Sequence, residues 1–143
     1  MVGRLAKKAE CFGDKEALEE ILSAKDPVQM KALGRQVRGF DAKVWDEIKF
    51  GVVLNASYLK FSQNEPLRDF LLSTGSKVLV EASPVDKIWG IGLAASDENA
   101  QNPMKWRGQN LLGFALMRVR DEIAKVYKNV HLRDARELNL DHL

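Results

Sequence analysis

The sequence predicts an α+β, mainly α-helical fold, a single domain with one small β element, and three observations carry that expectation. Apolar residues recur at three- and four-residue spacing through most of the chain. Asp, Asn or Pro stands ahead of these runs and Gly behind several of them, which are helix start and stop signals. Only KVLVEAS, residues 77–83, has the β-branched, apolar composition of a strand bounded by turn residues.

Taken in order, RLAKKAECF (4–12) places Leu5, Ala9 and Phe12 on one helical face and stops at Gly13. Asp14 caps a second helix in which Leu18, Ile21 and Leu22 share a face, with acidic residues early in it. Asp26-Pro27 opens a third, because proline is well tolerated at the first helical position. Asp41 caps the longest helix of the chain, over 42–64, with Val44, Trp45, Ile48, Val52 and Leu59 recurring along it, and Gly51 marks close packing or a bend. Asn64 or Glu65 with Pro66 starts a helix that Gly75 ends. KVLVEAS is the strand, KIWGIGL (87–93) a second short extended piece, and SDENAQNP (96–103) a polar loop. A helix over 110–127 follows, with Leu111, Leu112, Ala115, Leu116, Val119, Ile123 and Val126 facing the core. Residues 1–127 make one domain, and 128–143 are a polar C-terminal extension, a frayed helix or partly ordered tail.

Composition narrows the functions. With 143 residues, 22 Lys plus Arg against 20 Asp plus Glu, and a net charge of +2, the chain has no global field that would mark a nucleic-acid coat or membrane binder. No apolar run reaches the length of a membrane span. One cysteine, Cys11, rules out an internal disulfide and reads as a small buried hydrophobe, in keeping with a cytoplasmic protein. The two histidines, His131 and His142, both lie in the tail, which leaves no histidine metal site or histidine acid-base pair in the domain, and neither a metal nor another cofactor is expected.

Several residues could carry chemistry. Glu81 and Asp86 flank the turn after the strand, and Trp89-Gly90-Ile91-Gly92 follows. A carboxylate beside an aromatic wall can hold a raised pKa or accept sugar hydroxyls, yet spacing alone favours reading the same residues as a surface charge, a turn residue and a core aromatic. Asn110, within Gly108 to Gly113 at a helix start, suits an anion or serves as an N-cap. Lys7 and Lys8 lie on the opening helix; a desolvated lysine can form a Schiff base with an opened sugar, whereas most helical lysines line a solvated face. Arg35 is a phosphate clamp or a surface ion pair.

FGD at 12–14, ALGRQVRGFD at 32–41, KFSQN at 60–64, LRDFLLSTG at 67–75, LVEASPVDKIWGIGL at 79–93 and KWRGQNLLGFALMRVRD at 105–121 stand in one collinear order. Together they resemble the NADAR, or YbiA-like, family over nearly all of the chain from Lys8 to about Ile123. The resemblance implies N-glycosidase chemistry on a ribose joined to a ring nitrogen. The substrates it implies are ribosylaminopyrimidine phosphates of early riboflavin synthesis, or guanine carrying ADP-ribose. It maps the family's helical lysine to Lys8, which becomes the candidate for covalent attack on the opened ribose. Glu81 and Asp86 are then the supporting catalytic carboxylates, Trp89, Gly90 and Gly92 the base side, and Arg35 or Asn110 the phosphate contact.

The family's glutamate would fall at Met1 and its tyrosine at Gly3, and its N-terminal strands have no counterpart, so the chain reads as truncated relative to the family. Ile91 also stands where many members carry an aspartate. The partner implied is a small ribosyl nucleotide or ADP-ribosyl compound. Nucleic acid enters only as an ADP-ribosylated substrate, and a homo-oligomer would cover a face left open by the missing strands. The alternatives are a guanine ADP-ribosyl glycohydrolase, a module that binds nucleotide or ADP-ribose without turnover, or an inactive, partly folded product.

Overall fold

The computed structural model describes the backbone of residues 2–140 and the side chains of residues 3–128. The element order is α1 (Val2–Cys11), α2 (Lys15–Ser23), α3 (Pro27–Arg35), α4 (Ala42–Ser62), α5 (Glu65–Ser73), two single-turn 3-10 helices (Glu98–Gln101 and Pro103–Lys105) and α6 (Leu111–Leu140). These elements fall into two compact units, with the boundary inside α4 between Ala56 and Ser57.

In the first unit the helix starts follow local chemistry. The Asp14 carboxylate accepts from Ala17 N, Asp26 accepts from Val28 N and Gln29 N ahead of Pro27, and Asp41 accepts from Lys43 N and Val44 N. Each such cap satisfies otherwise orphaned N–H groups and contributes about 1 kcal/mol. Leu5 and Ala9 of α1 pack with Ala17 and Ile21 of α2 and with Val37, and Phe12, Leu18, Met30 and Leu33 close over them. Gly51 does not mark close packing: it is exposed, with nothing within 4 Å of where its Cβ would stand. Cys11 is exposed rather than buried.

In the second unit Asn64 caps α5, and Gly75 at φ 59° follows its end. The helix α6 does not stop at the expected Tyr127 but continues to Leu140, so the extension from residue 128 is helical that far and α6, with 30 residues against 21 in α4, is the longest helix among the described residues; the His131 side chain and His142 lie outside the described residues. Ala115, Val119 and Ile123 of α6 are buried as its stripe requires, whereas Val126 is half exposed.

The expected β element is corrected by the structure. Among the described residues there is no strand: 77–83 run without an assigned partner, and 87–93 form bends and turns. A strand is defined by a neighbour, and the backbone of 77–81 is bound instead by the side chains of Asn110 and Arg120, by the Ile91 N–H, and by local turn bonds from Lys77 N to the Thr74 carbonyl and from Ser83 N to the Glu81 carbonyl. The described fold is therefore helical, with an irregular, tightly bonded connection in place of a sheet. Among the described residues no helix is long and apolar enough to cross a membrane.

Candidate functional site

In the first unit, one turn of α1 presents Lys8 toward the end of α3. Its Nζ donates to the Gly34 carbonyl at 2.6 Å and lies 4.1 Å from the centre of the Phe40 ring. Phe40 is braced edge-on by Phe12, with centroids 5.3 Å apart and the planes at 72°. Partial burial, and then the charge of Arg4 one turn earlier, lower the Lys8 pKa from its usual value. A neutral amine can still donate one N–H to Gly34 while keeping its lone pair, which is the state a nucleophile needs.

Arg35 follows directly on that carbonyl. It is exposed, and its guanidinium makes no hydrogen bond or ion pair among the described residues. Arg38, three residues on, is fully engaged. Its Nη2 reaches Asp14 Oδ1 at 3.0 Å and Glu16 Oε2 at 2.9 Å, and its N–H donates to Asp14 Oδ2 at 2.8 Å. These bonds from Arg38, with the one from Ala17 N, hold the Asp14 carboxyl well below the usual carboxylate range. Sequence reasoning missed this lock and the Phe40 wall. Signals for both stand in the FGD and RGFD segments, whose partners are separated by 24 or more positions.

In the second unit the other predicted residues converge on one backbone knot. Asn110 is fully buried, at φ 53°, and its side chain bridges the connection: Nδ2 donates to the Leu79 carbonyl and Oδ1 accepts from Glu81 N, both at 3.0 Å. It neither caps α6 with its side chain nor keeps a free polar atom for a ligand. The N–H groups of Gln109, Asn110, Leu111 and Leu112 donate to the carbonyls of Lys87, Gly90, Ile88 and Trp89. The anion site expected at this helix start is thus occupied by the chain's own carbonyls.

Asp86 behaves likewise. Its Oδ1 accepts from Ile88 N at 3.0 Å and Trp89 N at 2.8 Å, an Asx turn that sets up the Trp-Gly segment. Trp89 is 8% exposed, so its ring is largely in the core. Gly90 has no room for a side chain: a Cβ there would stand 2.8 Å from both the Glu81 and Asp86 carbonyls. Gly92, at φ 69°, would place a Cβ 3.0 Å from Arg107. Glu81 alone of this group is exposed and keeps its carboxylate out of the bonding network of the described residues. Among the described residues no cluster of three His, Cys, Asp or Glu is placed to hold a metal ion.

The chain is 48% identical over 118 residues to N-glycosidase R617 of Acanthamoeba polyphaga mimivirus, covering 82% of this chain and 69% of that one. It is 37% identical to the chloroplastic riboflavin biosynthesis protein PYRR of Zea mays, over 76% of this chain but 16% of that much longer protein. Among solved structures, the NMR structure of the E. coli protein YbiA superposes with a TM-score of 0.69 at 30% identity, covering 87% of this chain and 68% of that one. The NADAR domain profile matches residues 4–124, a span that includes Lys8, Arg35, Glu81, Trp89 and Asn110, and by that match and those relatives the chain belongs to the NADAR family.

Proposed function

We propose that this chain is an N-glycosidase in which the Lys8 amine attacks the anomeric carbon of a ring-opened ribosyl N-glycoside. The observation that carries the reading is the setting of Lys8: part-buried, hydrogen-bonded to Gly34, walled by Phe40, and with its proton affinity lowered by desolvation and by Arg4. Relatives named as N-glycosidases support the reaction class.

Opening of the ribose ring turns the bond from C1′ to the base nitrogen into an imine. Neutral Lys8 adds to C1′, the base departs as a free amine with its proton, and C1′ remains joined to Lys8 as an imine. Water adds to that carbon and releases lysine and the sugar aldehyde. The net change is N-glycoside plus water giving sugar and amine. Arg35, with its uncommitted guanidinium, suits a terminal phosphate of the substrate. In the second unit, the Glu81 carboxylate is exposed and outside the bonding network, whereas Asp86 is engaged in its Asx turn. Asn110, Gly90 and Gly92 hold the backbone, and Trp89 anchors it.

The substrate class proposed is a ribosylaminopyrimidine phosphate of the riboflavin route, a reading that the name of the maize relative favours. The test is incubation of the purified chain with such a compound, with ADP-ribosylated guanine in parallel, followed by assay of the released sugar. Reduction with cyanoborohydride during turnover should fix the sugar on Lys8 and be visible as a mass increase on its peptide. Undiminished turnover in Lys8→Ala would remove the lysine from the mechanism. Saturable binding of either compound without product would instead make the chain a binding module.

A further inference from the structure

Two stretches far apart in the sequence meet beside Lys8. The turn Phe12-Gly13-Asp14 is fastened to the end of α1, where Phe12 N donates to the Lys8 carbonyl at 3.3 Å and Asp14 N to the Ala9 carbonyl at 2.9 Å. Residues 34–40 lie against it. The Asp14 carboxylate accepts from the Arg38 N–H at 2.8 Å, from Nη2 at 3.0 Å and from Nε at 3.4 Å, and two residues on the Phe40 ring meets that of Phe12 edge-on. The same segment touches the Lys8 amine at both of its ends. Gly34 gives the carbonyl that accepts from Nζ, Phe40 gives the ring centred 4.1 Å from it, and Val37 between them is buried with Leu5 and Ala9 of α1. The amine is held in a loop whose clip is Asp14.

We infer that Asp14 is a positioning residue for Lys8: by binding Arg38 it keeps residues 34–40 closed around the amine. An N-cap for α2 needs only the bond that the Asp14 carboxylate accepts from Ala17 N at 3.1 Å. The three bonds from Arg38 are additional and reach across 24 positions of the chain. Their donor is exposed but their acceptor is not, the Asp14 side chain being 2% exposed against 70% for Arg38. A charge-assisted pair with one buried partner is firmer than an ion pair wholly in solvent, so it can fix a segment. A lysine side chain, by contrast, carries more rotamer freedom than one hydrogen bond to a carbonyl restrains. The aim and partial burial of Lys8 therefore come from the closed loop, whose kinetic consequence rests on the proposed role of Lys8 as nucleophile.

Competitive acetylation of the folded chain across a pH series tests this without a substrate, so a failure of the glycosidase reading leaves the result intact. Acetic anhydride is the probe, and mass spectrometry reads Lys8 and, as reference, the neighbouring Lys7, which pairs with Glu10 in solvent. Opening the loop admits water to Lys8 and moves its labelling midpoint to higher pH in both Asp14→Asn and Arg38→Ala, while Lys7 labels as in the wild type. Charge alone acts otherwise, because losing a carboxylate lowers a lysine midpoint and losing a guanidinium raises it. The other charges about the loop, Arg4, Arg35 and Glu16, are common to all the proteins compared. With the ribosylaminopyrimidine phosphate as substrate, Asp14→Asn should also lower kcat on the order of tenfold at little change in KM. A Lys8 midpoint that falls or stays in folded Asp14→Asn overturns the inference, as does an unchanged kcat where the wild type turns over. Should Asp14→Asn not fold, Arg38→Ala decides in about 1 M salt, where a screening length of about 3 Å removes the effect of exposed charge. A midpoint that rises there supports the inference, and one that stays at the wild-type value overturns it.

Discussion

The two units use polar side chains in opposite ways. In the second, Asn110, Asp86 and Arg120 point at backbone: Asn110 ties Leu79 and Glu81, Asp86 ties Ile88 and Trp89, and the Arg120 guanidinium holds Thr74 and Lys77. Even the buried Arg120 Nε is 3.7 Å from Asp121, beyond hydrogen-bond reach, so this arginine acts through Nη1 as a brace. In the first unit, Lys8 and Arg35 remain chemically open while Asp14 and Arg38 form the lock beside them. An irregular connection must find partners for every buried backbone group, and side chains spent on that duty are not available to a substrate. Helices satisfy their own backbone and leave lysines and arginines for chemistry.

The contrast is broken most severely at Lys8. Lys8→Ala should lower kcat/KM on the order of 10³-fold or more while changing stability by about 1 kcal/mol or less, measured by steady-state kinetics and urea melts. The same kinetics should show a rate that rises with pH as Lys8 loses its proton, with the midpoint below the ordinary lysine value because the pKa is lowered. That depressed pKa also means that protonation costs the folded state. The Lys8 contribution to stability therefore improves as pH climbs from the folded to the unfolded value.

Asn110→Ala should show the reverse pattern. It strands the Leu79 carbonyl and the Glu81 N–H in a buried setting, for a loss of about 3 kcal/mol in urea unfolding. At temperatures where the variant stays folded, turnover per folded molecule should be little changed. Arg35→Ala is a smaller effect of the first kind: KM for a phosphorylated substrate should rise about tenfold, kcat and melting temperature staying near wild type, because no internal bond is lost. Tenfold poorer kcat with unchanged KM would move Arg35 from binding to chemistry.

Asp14 has a folded pKa depressed by Arg38 and Ala17, so its stabilising contribution is complete above the unfolded carboxyl pKa and fades as pH falls toward the folded one. Thermal melts in acid should show that decline, and Asp14→Asn should flatten it. An unchanged acid profile in Asp14→Asn would place the acid sensitivity elsewhere.

Much of the helical order was legible because its causes are local. Asp14, Asp26, Asp41 and Asn64 stand one position from the helices they start, and the apolar stripe of α6 repeats every turn. Lys8 was different. Periodicity placed it on a helix, but only the family resemblance distinguished it from Lys7, which pairs with Glu10 in solvent. The feature that sets Lys8 apart, a carbonyl 26 residues away, is a contact no local pattern encodes.

Residues 77–83 and Asn110 show the converse limit. Val78, Leu79 and Val80 have strand-forming side chains, yet strand is a property of two segments, and the described residues supply no second one. Asn110 read as a cap or a ligand contact, whereas its amide is committed 29 and 31 residues upstream. By itself the sequence determined where helices begin, which faces they bury and which family the chain resembles, because caps and periodicity act within a turn or two. Which polar groups are left for chemistry was decided by tertiary structure, because each buried backbone group claims a partner and the claimants come from distant parts of the chain.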